Sequence, residues 1–293
     1  MLVCTFRRPQ LRRTLESLSD QDLPGSLKMR VIVADNDETP SARPVVEAAK
    51  LDFGLDIDYL HAPARNISLA RNACLDHASA DWIAFIDDDE FAPPDWLSGL
   101  MDAAQSHKAD AVFAPALAVY PDAAPDWIIA GGYHSNIPVA HRTKVTTGHT
   151  CNALLRWGNV PWRELRFDIA RGRSGGEDTA YFLMVAARNA NMIAVKTPAV
   201  FEDVDPARLT YRWIAQRKFR SGQSHAASAT NPRARLTLAI QASGKAAYCA
   251  LRAATCAFHP HRRRFWALRC TLHAGVVAGC AALPQSEIYG GTS

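Results

Sequence analysis

Long apolar stretches are missing from this 293-residue chain, and none reaches the 18 or so uncharged residues of a membrane span. The nearest candidate, residues 265–283, is interrupted by Arg269 and His273, and its clean part begins only at Ala274. A transmembrane helix is therefore not expected, whereas a helix lying on a membrane surface is compatible with the sequence. Paired cysteines are also missing. Seven cysteines sit at 4, 74, 151, 249, 256, 270 and 280, an odd number with no C-x-x-C spacing. This argues against a zinc knuckle or a disulfide scaffold and fits a reducing compartment. The ten histidines show no zinc-binding spacing, and neither a P-loop nor G-x-G-x-x-G occurs, which weakens kinase and dinucleotide-enzyme readings. Met1-Leu2-Val3-Cys4 reads as a strand rather than as a basic leader followed by an apolar core.

Acidic residues are scarce in one region only. From Arg208 onward there are thirteen Lys or Arg and a single acid, Glu287. The residues before it hold 20 basic and 28 acidic side chains, so a cationic C-terminal unit is joined to an acidic body. The overall excess, 33 basic against 29 acidic, does not point to nucleic acid. The cationic unit suits phosphates or anionic lipid. An apolar fraction of 48% and a charged fraction of 21% describe an ordinary folded protein.

The first hundred residues alternate strand and helix patterns. Strands are expected at 2–5, 29–34, 57–60 and 82–86, with helices at 11–18, 44–49 and 67–77 between them. This β-α-β order predicts an α/β fold with a mostly parallel central sheet flanked by helices. Further on, a helix is expected after Pro93-Pro94, strands at 111–116, 151–155 and 192–195, and a helix at 179–191. Residues 121–147 are loop-rich. Beyond Asp205-Pro206 the chain reads as helices only, at about 207–222, 234–257 and 265–283. Two units are expected: a catalytic body over 1–205 and a basic helical region over 206–293.

In such sheets ligands collect at the C-terminal ends of strands. Three of the four early strands end in polar segments: Thr5-Phe6-Arg7-Arg8, Asp35-Asn36-Asp37 and Asp87-Asp88-Asp89. Three adjacent acids repel one another and lose solvation, a cost that a hard divalent cation with oxygen ligands relieves. An acidic turn is the plainer reading of that segment alone, and Asp35-Asn36-Asp37 serves equally as a turn or as an acceptor for a nucleobase imide. Arg71 lies about one turn into a helix, where a cation opposes the dipole unless an anion is near. Glu177-Asp178 follows Gly175-Gly176 at a helix start. That placement suits either a general base or simple complementarity to the helix dipole. Arg208, Arg212, Arg217 and Arg220, with Trp213 among them, form a basic stripe able to neutralise a diphosphate. His259-Pro260-His261-Arg262-Arg263-Arg264 is either a solvated loop or an anionic-lipid contact. Gly172-Arg173-Ser174-Gly175-Gly176 matches G-x-S-x-G by letter, but no apolar strand leads into it as a nucleophile elbow requires.

Taken in order, Val3-Cys4-Thr5-Phe6-Arg7-Arg8-Pro9, Ala70-Arg71-Asn72, Phe85-Ile86-Asp87-Asp88-Asp89-Glu90, Gly175-Gly176-Glu177-Asp178-Thr179 and the segment from Arg212-Trp213 to Ser224 resemble the family 2 glycosyltransferases. These are inverting enzymes of the A-type nucleotide-sugar transferase fold, and the likeness is to bacterial exopolysaccharide glucosyltransferases of the succinoglycan-synthesis type. The resemblance covers roughly residues 1–225. It implies that Thr5, Arg8 and Asp35 (or Asp37 in its place) hold the nucleotide, with Arg71 nearby. Asp87 and Asp89 would be the D-x-D pair, binding ribose-diphosphate and Mg²⁺ or Mn²⁺, with Asp88 also at the nucleotide. Asp178 would deprotonate the acceptor hydroxyl with Glu177 beside it. Arg212, Trp213 and Arg217 would close over the diphosphate. Leu209 stands where processive synthases carry Gln, so transfer of a single hexose is expected. The implied partners are a UDP-sugar donor and a glycan or lipid-linked glycan acceptor, at the inner face of the cytoplasmic membrane. Rival expectations are a nucleotidyltransferase, against which the glycine-free Phe6-Arg7-Arg8-Pro9 counts, and an inactive scaffold of a polysaccharide assembly.

Overall fold

Short apolar runs separated by amphipathic helices can bury both faces of a sheet only by layering helices on each side. The computed structural model, which describes residues 1–25, 27–139, 144–226, 229 and 231–283, has this arrangement. Its elements are β1 (Leu2–Thr5), α1 (Leu11–Ser19), β2 (Val31–Asp35), α2 (Arg43–Phe53), β3 (Ile57–His61), α3 (Ile67–His77), β4 (Trp82–Ile86), β5 (Glu90–Phe91), α4 (Trp96–Ser106), β6 (Ala111–Phe113), β7 (Ala116–Val119), α5 (Asp126–Gly131), β8 (Asn152–Arg156), α6 (Glu177–Ala187), β9 (Met192–Ala194), β10 (Val200–Asp203), α7 (Tyr211–Ala226), α8 (Pro232–Thr255) and α9 (Pro260–Cys280).

The main sheet has seven strands in the order β3-β2-β1-β4-β8-β6-β9. All pairings are parallel except those of β8, which runs antiparallel to both β4 and β6. Alternation along the strands sorts the core. Val3, Val33, Ala84 and Ile86 pack under α1, α2 and α4, while Leu2, Ile32, Ile83 and Phe85 pack under α3 and α6. Both faces are therefore covered, which is why these strands read as nearly continuous apolar runs.

A second sheet, β5-β10-β7, was not expected from sequence. The expected strand at 111–116 divides into β6 and β7 around Ala114-Pro115. Proline has no ladder donor, and the Pro115 carbonyl instead accepts from Val200 N–H, which starts the pairing of β7 with β10. The helix expected at 179–191 begins earlier, at Glu177, and α2 runs to Phe53 rather than ending at 49.

The C-terminal helices form as expected, with shifted ends. α7 and α9 approach closely through glycines. A Cβ at Gly222 would stand 2.1 Å from the Leu272 carbonyl oxygen, and one at Gly275 would stand 2.0 Å from the Phe219 carbonyl oxygen. Backbones this near leave no room for any side chain. Ile214 of α7, Ile128 of α5 and Leu268 of α9 share one buried cluster, which seats α7 against the body. A Cβ at Gly244, by contrast, would meet nothing within 4 Å.

These two environments predict opposite effects of one substitution. Gly275→Ala should destabilise by about 1–3 kcal/mol through overpacking, outweighing the gain in helix propensity of about 1 kcal/mol. Gly244→Ala should keep that gain. Chemical denaturation of both variants checks this, and equal effects would disprove the close helix approach.

Candidate active site

The strand ends that carry polar residues meet at one edge of the sheet. Asp87, Asp88 and Asp89 follow β4, and Glu90 opens β5. The pairing of β5 with β10 sets Glu90 directly opposite Glu202. Like charges in directly opposed positions are unfavourable. Loss of solvation, first of all, pushes Asp87 up to about 7 and Asp88 up to about 8, with Asp89 adding repulsion to both. Burial likewise raises Glu90 and Glu202, where Asp89 again repels. The Glu90 carboxylate also accepts from the Asp87 N–H at 2.9 Å, tying the turn together.

Guanidinium groups surround these acids. Arg8, just past β1, lies 3.9 Å from Asp88 and 3.5 Å from Asp89. The Phe6 N–H donates to Asp88 at 3.3 Å. Arg208 pairs with Glu202 at 2.7 Å. The Arg208 and Arg217 guanidiniums lie over the Trp213 ring at 5.7 and 5.4 Å, and His134 stacks with the same ring at 5.2 Å. The structure thus brings Trp213 and Arg217 together, whereas Arg212 is exposed in the first turn of α7.

Arg71 occupies the centre. Asn66 caps α3 by accepting from the Ser68 and Leu69 N–H groups. Asn72 exchanges hydrogen bonds with the Phe167 backbone at 3.0 and 2.8 Å, and Ser68 donates to the Asp168 carbonyl. These bonds clamp the segment before α6 onto α3. Phe167 then stacks on Tyr181 at 4.1 Å, fixing α6 over the sheet. The chain enters α6 through Gly175 and Gly176, whose φ of 91° and 83° suit glycine. The result is an ion pair between buried Arg71 and buried Glu177, with Asp87 3.8 Å from the same guanidinium. β4, α3 and α6 are joined at this point.

Asp178, one residue on, takes a different partner. Its Oδ2 accepts from His149 Nδ1 at 2.8 Å and its Oδ1 from the Thr179 N–H at 2.6 Å. Burial pushes the Asp178 carboxyl up, but these bonds and the Arg71 charge outweigh it and hold the group below its ordinary value. The expected base candidate and the acid cluster therefore share one site, with Asp178 among the acids that raise Asp87.

At the end of β2 the two candidate acids differ. Asp35 is wholly buried, and its oxygens accept from the Asp37 N–H, the Ala42 N–H at 2.8 Å and the Tyr59 hydroxyl at 2.7 Å. Asp37 pairs with Arg7 at 2.9 Å, which, as the main cause, lowers it to about 2. The buried Thr5 hydroxyl lies by the Asp88 carboxyl, favouring its charged form, yet makes no hydrogen bond of full geometry among the described residues. Glu177 Oε2 is likewise buried and without a partner there.

Among the described residues no group of three or more His, Cys, Asp or Glu forms a ready metal cage. The donor set nevertheless fits a hard cation. Mg²⁺ or Mn²⁺ uses one or two carboxylates and completes its shell with phosphates and water, and Asp87 and Asp88 are raised by lost solvation and, after it, by repulsion from Asp89, both of which such a cation would offset. Asp87 and Asp89 would hold it. Glu202 and His149 belong to this site but were not among the expected residues. Glu202 repeats the pattern of apolar residues followed by acids, in Val200-Phe201-Glu202-Asp203, but the run is too short to mark a strand by itself. His149 carries no sequence signal, because its partner lies 29 positions away.

An acid-rich strand edge, a buried arginine hub and a carboxylate at a helix start, on this sheet order, define a glycosyltransferase of the A-type nucleotide-sugar transferase fold. The model of the glycosyl transferase family 2 matches residues 1–158, and the chain belongs to that family. It is 42% identical over 292 residues to the succinoglycan biosynthesis protein ExoM of Rhizobium meliloti (strain 1021), covering 98% of this chain and 94% of that one. Among solved structures, the mannosyltransferase PcManGT from Pyrobaculum calidifontis, in complex with GDP-Man and Mn²⁺, is similar with a TM-score of 0.64 at 19% identity, covering 95% of this chain and 85% of that chain. S. aureus TarS 1–349 in complex with UDP-GlcNAc gives 0.55 at 14% identity, covering 96% and 91%. Both likenesses establish the fold.

The raised acids make stability depend on pH. Unfolded carboxyls titrate near about 4. Between there and about 7 to 8 the folded protein keeps protons on Asp87 and Asp88 that the unfolded chain has lost, so these groups reduce stability as pH rises through that window. In chelator, the melting temperature of the Asp88→Asn variant should fall less between pH 5 and pH 8 than that of the unsubstituted protein. Mn²⁺ should raise the unsubstituted protein's melting temperature more at pH 8 than at pH 5. Identical Mn²⁺ shifts at both values would remove these carboxylates as the cation's locus.

Proposed function

We propose that this enzyme is an inverting, metal-dependent transferase that moves a single hexose from a UDP-sugar to a glycan acceptor in cell-surface polysaccharide synthesis. The observation that carries the reading is the Arg71 bridge, which sets Asp87 and Glu177 on one guanidinium whose charge also reaches Asp178. Near-full-length similarity to a succinoglycan biosynthesis protein supports the polysaccharide context. Family membership favours transfer over the nucleotidyl and scaffold alternatives.

On this reading Thr5 and the end of β2, with Asp35 or Asp37, receive the nucleobase. The buried Thr5 hydroxyl, beside Asp88 at the end of β1, supports that placement. Asp87 and Asp89 hold Mg²⁺ or Mn²⁺, with Asp88 and Arg8 beside them. The cation, when bound, offsets charge on the diphosphate. Arg217 and Trp213 cover the diphosphate, with Arg212 swinging in from solvent, and the arginines stabilise the departing UDP. Asp178, kept ionised beside protonatable acids, takes the acceptor's proton as the alcohol attacks the anomeric carbon from the face opposite UDP. A direct displacement of this kind inverts configuration.

Asp178→Asn should lower transfer by about 10²–10⁴-fold while leaving UDP affinity unchanged. Asp89→Ala should weaken Mn²⁺-dependent UDP binding measured by calorimetry. Unimpaired transfer in the first variant would remove Asp178 as base.

The acceptor is proposed to be lipid-linked and the enzyme to sit on the inner face of the cytoplasmic membrane. No helix among the described residues is long and apolar enough to cross a membrane. The support lies in α8 and α9. Leu236, Ile240 and Leu251 recur on one exposed stripe of α8, and Phe258 beyond it is 95% exposed. Arg262, Arg263 and Arg264 follow at once in the first turns of α9. Arg264 lies over the Trp127 ring at 4.9 Å, linking this cationic edge to α5. Replacing Arg262, Arg263 and Arg264 together by Ala should release the protein from phosphatidylglycerol vesicles in a sedimentation assay. Undiminished sedimentation would discredit the basic edge as the anchor.

A further inference from the structure

His149 contacts the proposed base yet has no role in the reaction as described. It lies three residues before β8, whose Asn152 pairs with Ile86 at the end of β4, so the chain passes beside Asp87 on its way into the sheet. The loop that carries it is held firmly. The Thr147 hydroxyl donates to the Thr179 carbonyl at 3.1 Å, and Gly148 sits against the Phe113 ring so closely that a Cβ would stand 2.0 Å from it. Thr150 and Asn152 are buried. The imidazole itself is about half exposed, at 46%.

The chemistry of the bond is unambiguous. An ionised carboxylate only accepts, so His149 Nδ1 must carry the hydrogen, leaving Nε2 on the other side of the ring. The charged groups that face this pair are Glu177 and Asp178 of α6, Asp87 after β4 and, toward Asp178, Arg71 of α3. Arg71 attracts every acid near it and already holds Glu177 and Asp87. A freely rotating Asp178 would turn toward the same guanidinium and away from an incoming alcohol. We propose that His149 is a positioning residue: its Nδ1–H, anchored on a rigid loop, holds Asp178 Oδ2 against the pull of Arg71 and leaves the other lone pairs of that carboxylate directed at the acceptor hydroxyl. Burial tends to lower the imidazole, but the Asp178 bond and the nearby acids outweigh it and keep the ring above its ordinary value.

This inference rests on the reading of Asp178 as base, and the experiment separates the two. UDP release from UDP-glucose, with water as the acceptor, is measured in the full chain with Mn²⁺. His149→Ala should lower kcat by about tenfold or more with KM for UDP-glucose little changed, because misdirection affects the chemical step and not donor binding. His149→Gln, which keeps a donor, should recover much of the loss, and added imidazole should restore turnover to His149→Gly. Unchanged kcat in His149→Ala, or joint loss of kcat and donor affinity that Gln does not relieve, would overturn the inference. If Asp178→Asn abolishes turnover while His149→Ala does not, only the positioning role fails; if Asp178→Asn is fully active, the base reading fails. A readout independent of turnover is the low-field Nδ1–H resonance of His149 in the ¹⁵N-histidine-labelled protein. It should be present and should vanish in Asp178→Ala, and its absence from the unsubstituted protein would refute the bond itself.

Discussion

Carboxylates crowded at the C-terminal edge of this sheet repel one another, and guanidinium groups, the buried Arg71 above all, are what hold them in place. Arg71 contributes most, since its one side chain meets Glu177 from α6 and Asp87 from β4. Removing either partner of such a buried pair leaves a charge uncompensated, typically at a cost of about 3–5 kcal/mol. The surrounding structure is arranged to deliver that arginine. The Asn66 cap starts α3, Asn72 binds the backbone of Phe167, and Phe167 stacks beneath α6. Arg8 and Arg208 do the same for Asp88, Asp89 and Glu202 at the rim.

The same electrostatics separates the acids by role. Asp87, Asp88, Glu90 and Glu202 lose solvation next to one another and are driven toward protonation, a tendency that a bound cation would reverse by favouring the ionised forms. Asp178 is just as enclosed, but a histidine and the Arg71 charge keep it ionised. Two environments within one site thus produce one group suited to a cation and another suited to accept a proton.

The helical extension is part of this arrangement through packing. Trp213 and Arg217 lie on α7, and α7 is set by Ile214 in the body and by glycine contacts to α9. The face of α8 turned away from α9 stays apolar and is bordered by arginine. The extension therefore braces the arginine-bearing helix on one side and presents a basic, apolar surface on the other.

Much of this was legible in the residues. The strand ends at Thr5, Asp35 and Asp87, the helix over 67–77 and the Glu177-Asp178 helix start all follow from local rules, because apolar alternation, capping and turn chemistry act over a few neighbouring residues. The short sheet β5-β10-β7 did not, since two- to four-residue strands have too little periodicity to stand out, and with it Glu202 was missed. Asp35 and Asp37 look alike in sequence, and only the fold encloses one in backbone donors and pairs the other with Arg7. The types and local placement of the charged residues were thus set by the chain itself, through interactions between near neighbours. Which acid is neutralised, which stays ionised and which histidine steadies it were decided by tertiary structure, because partners 29 to 106 positions apart meet only once the sheet has formed.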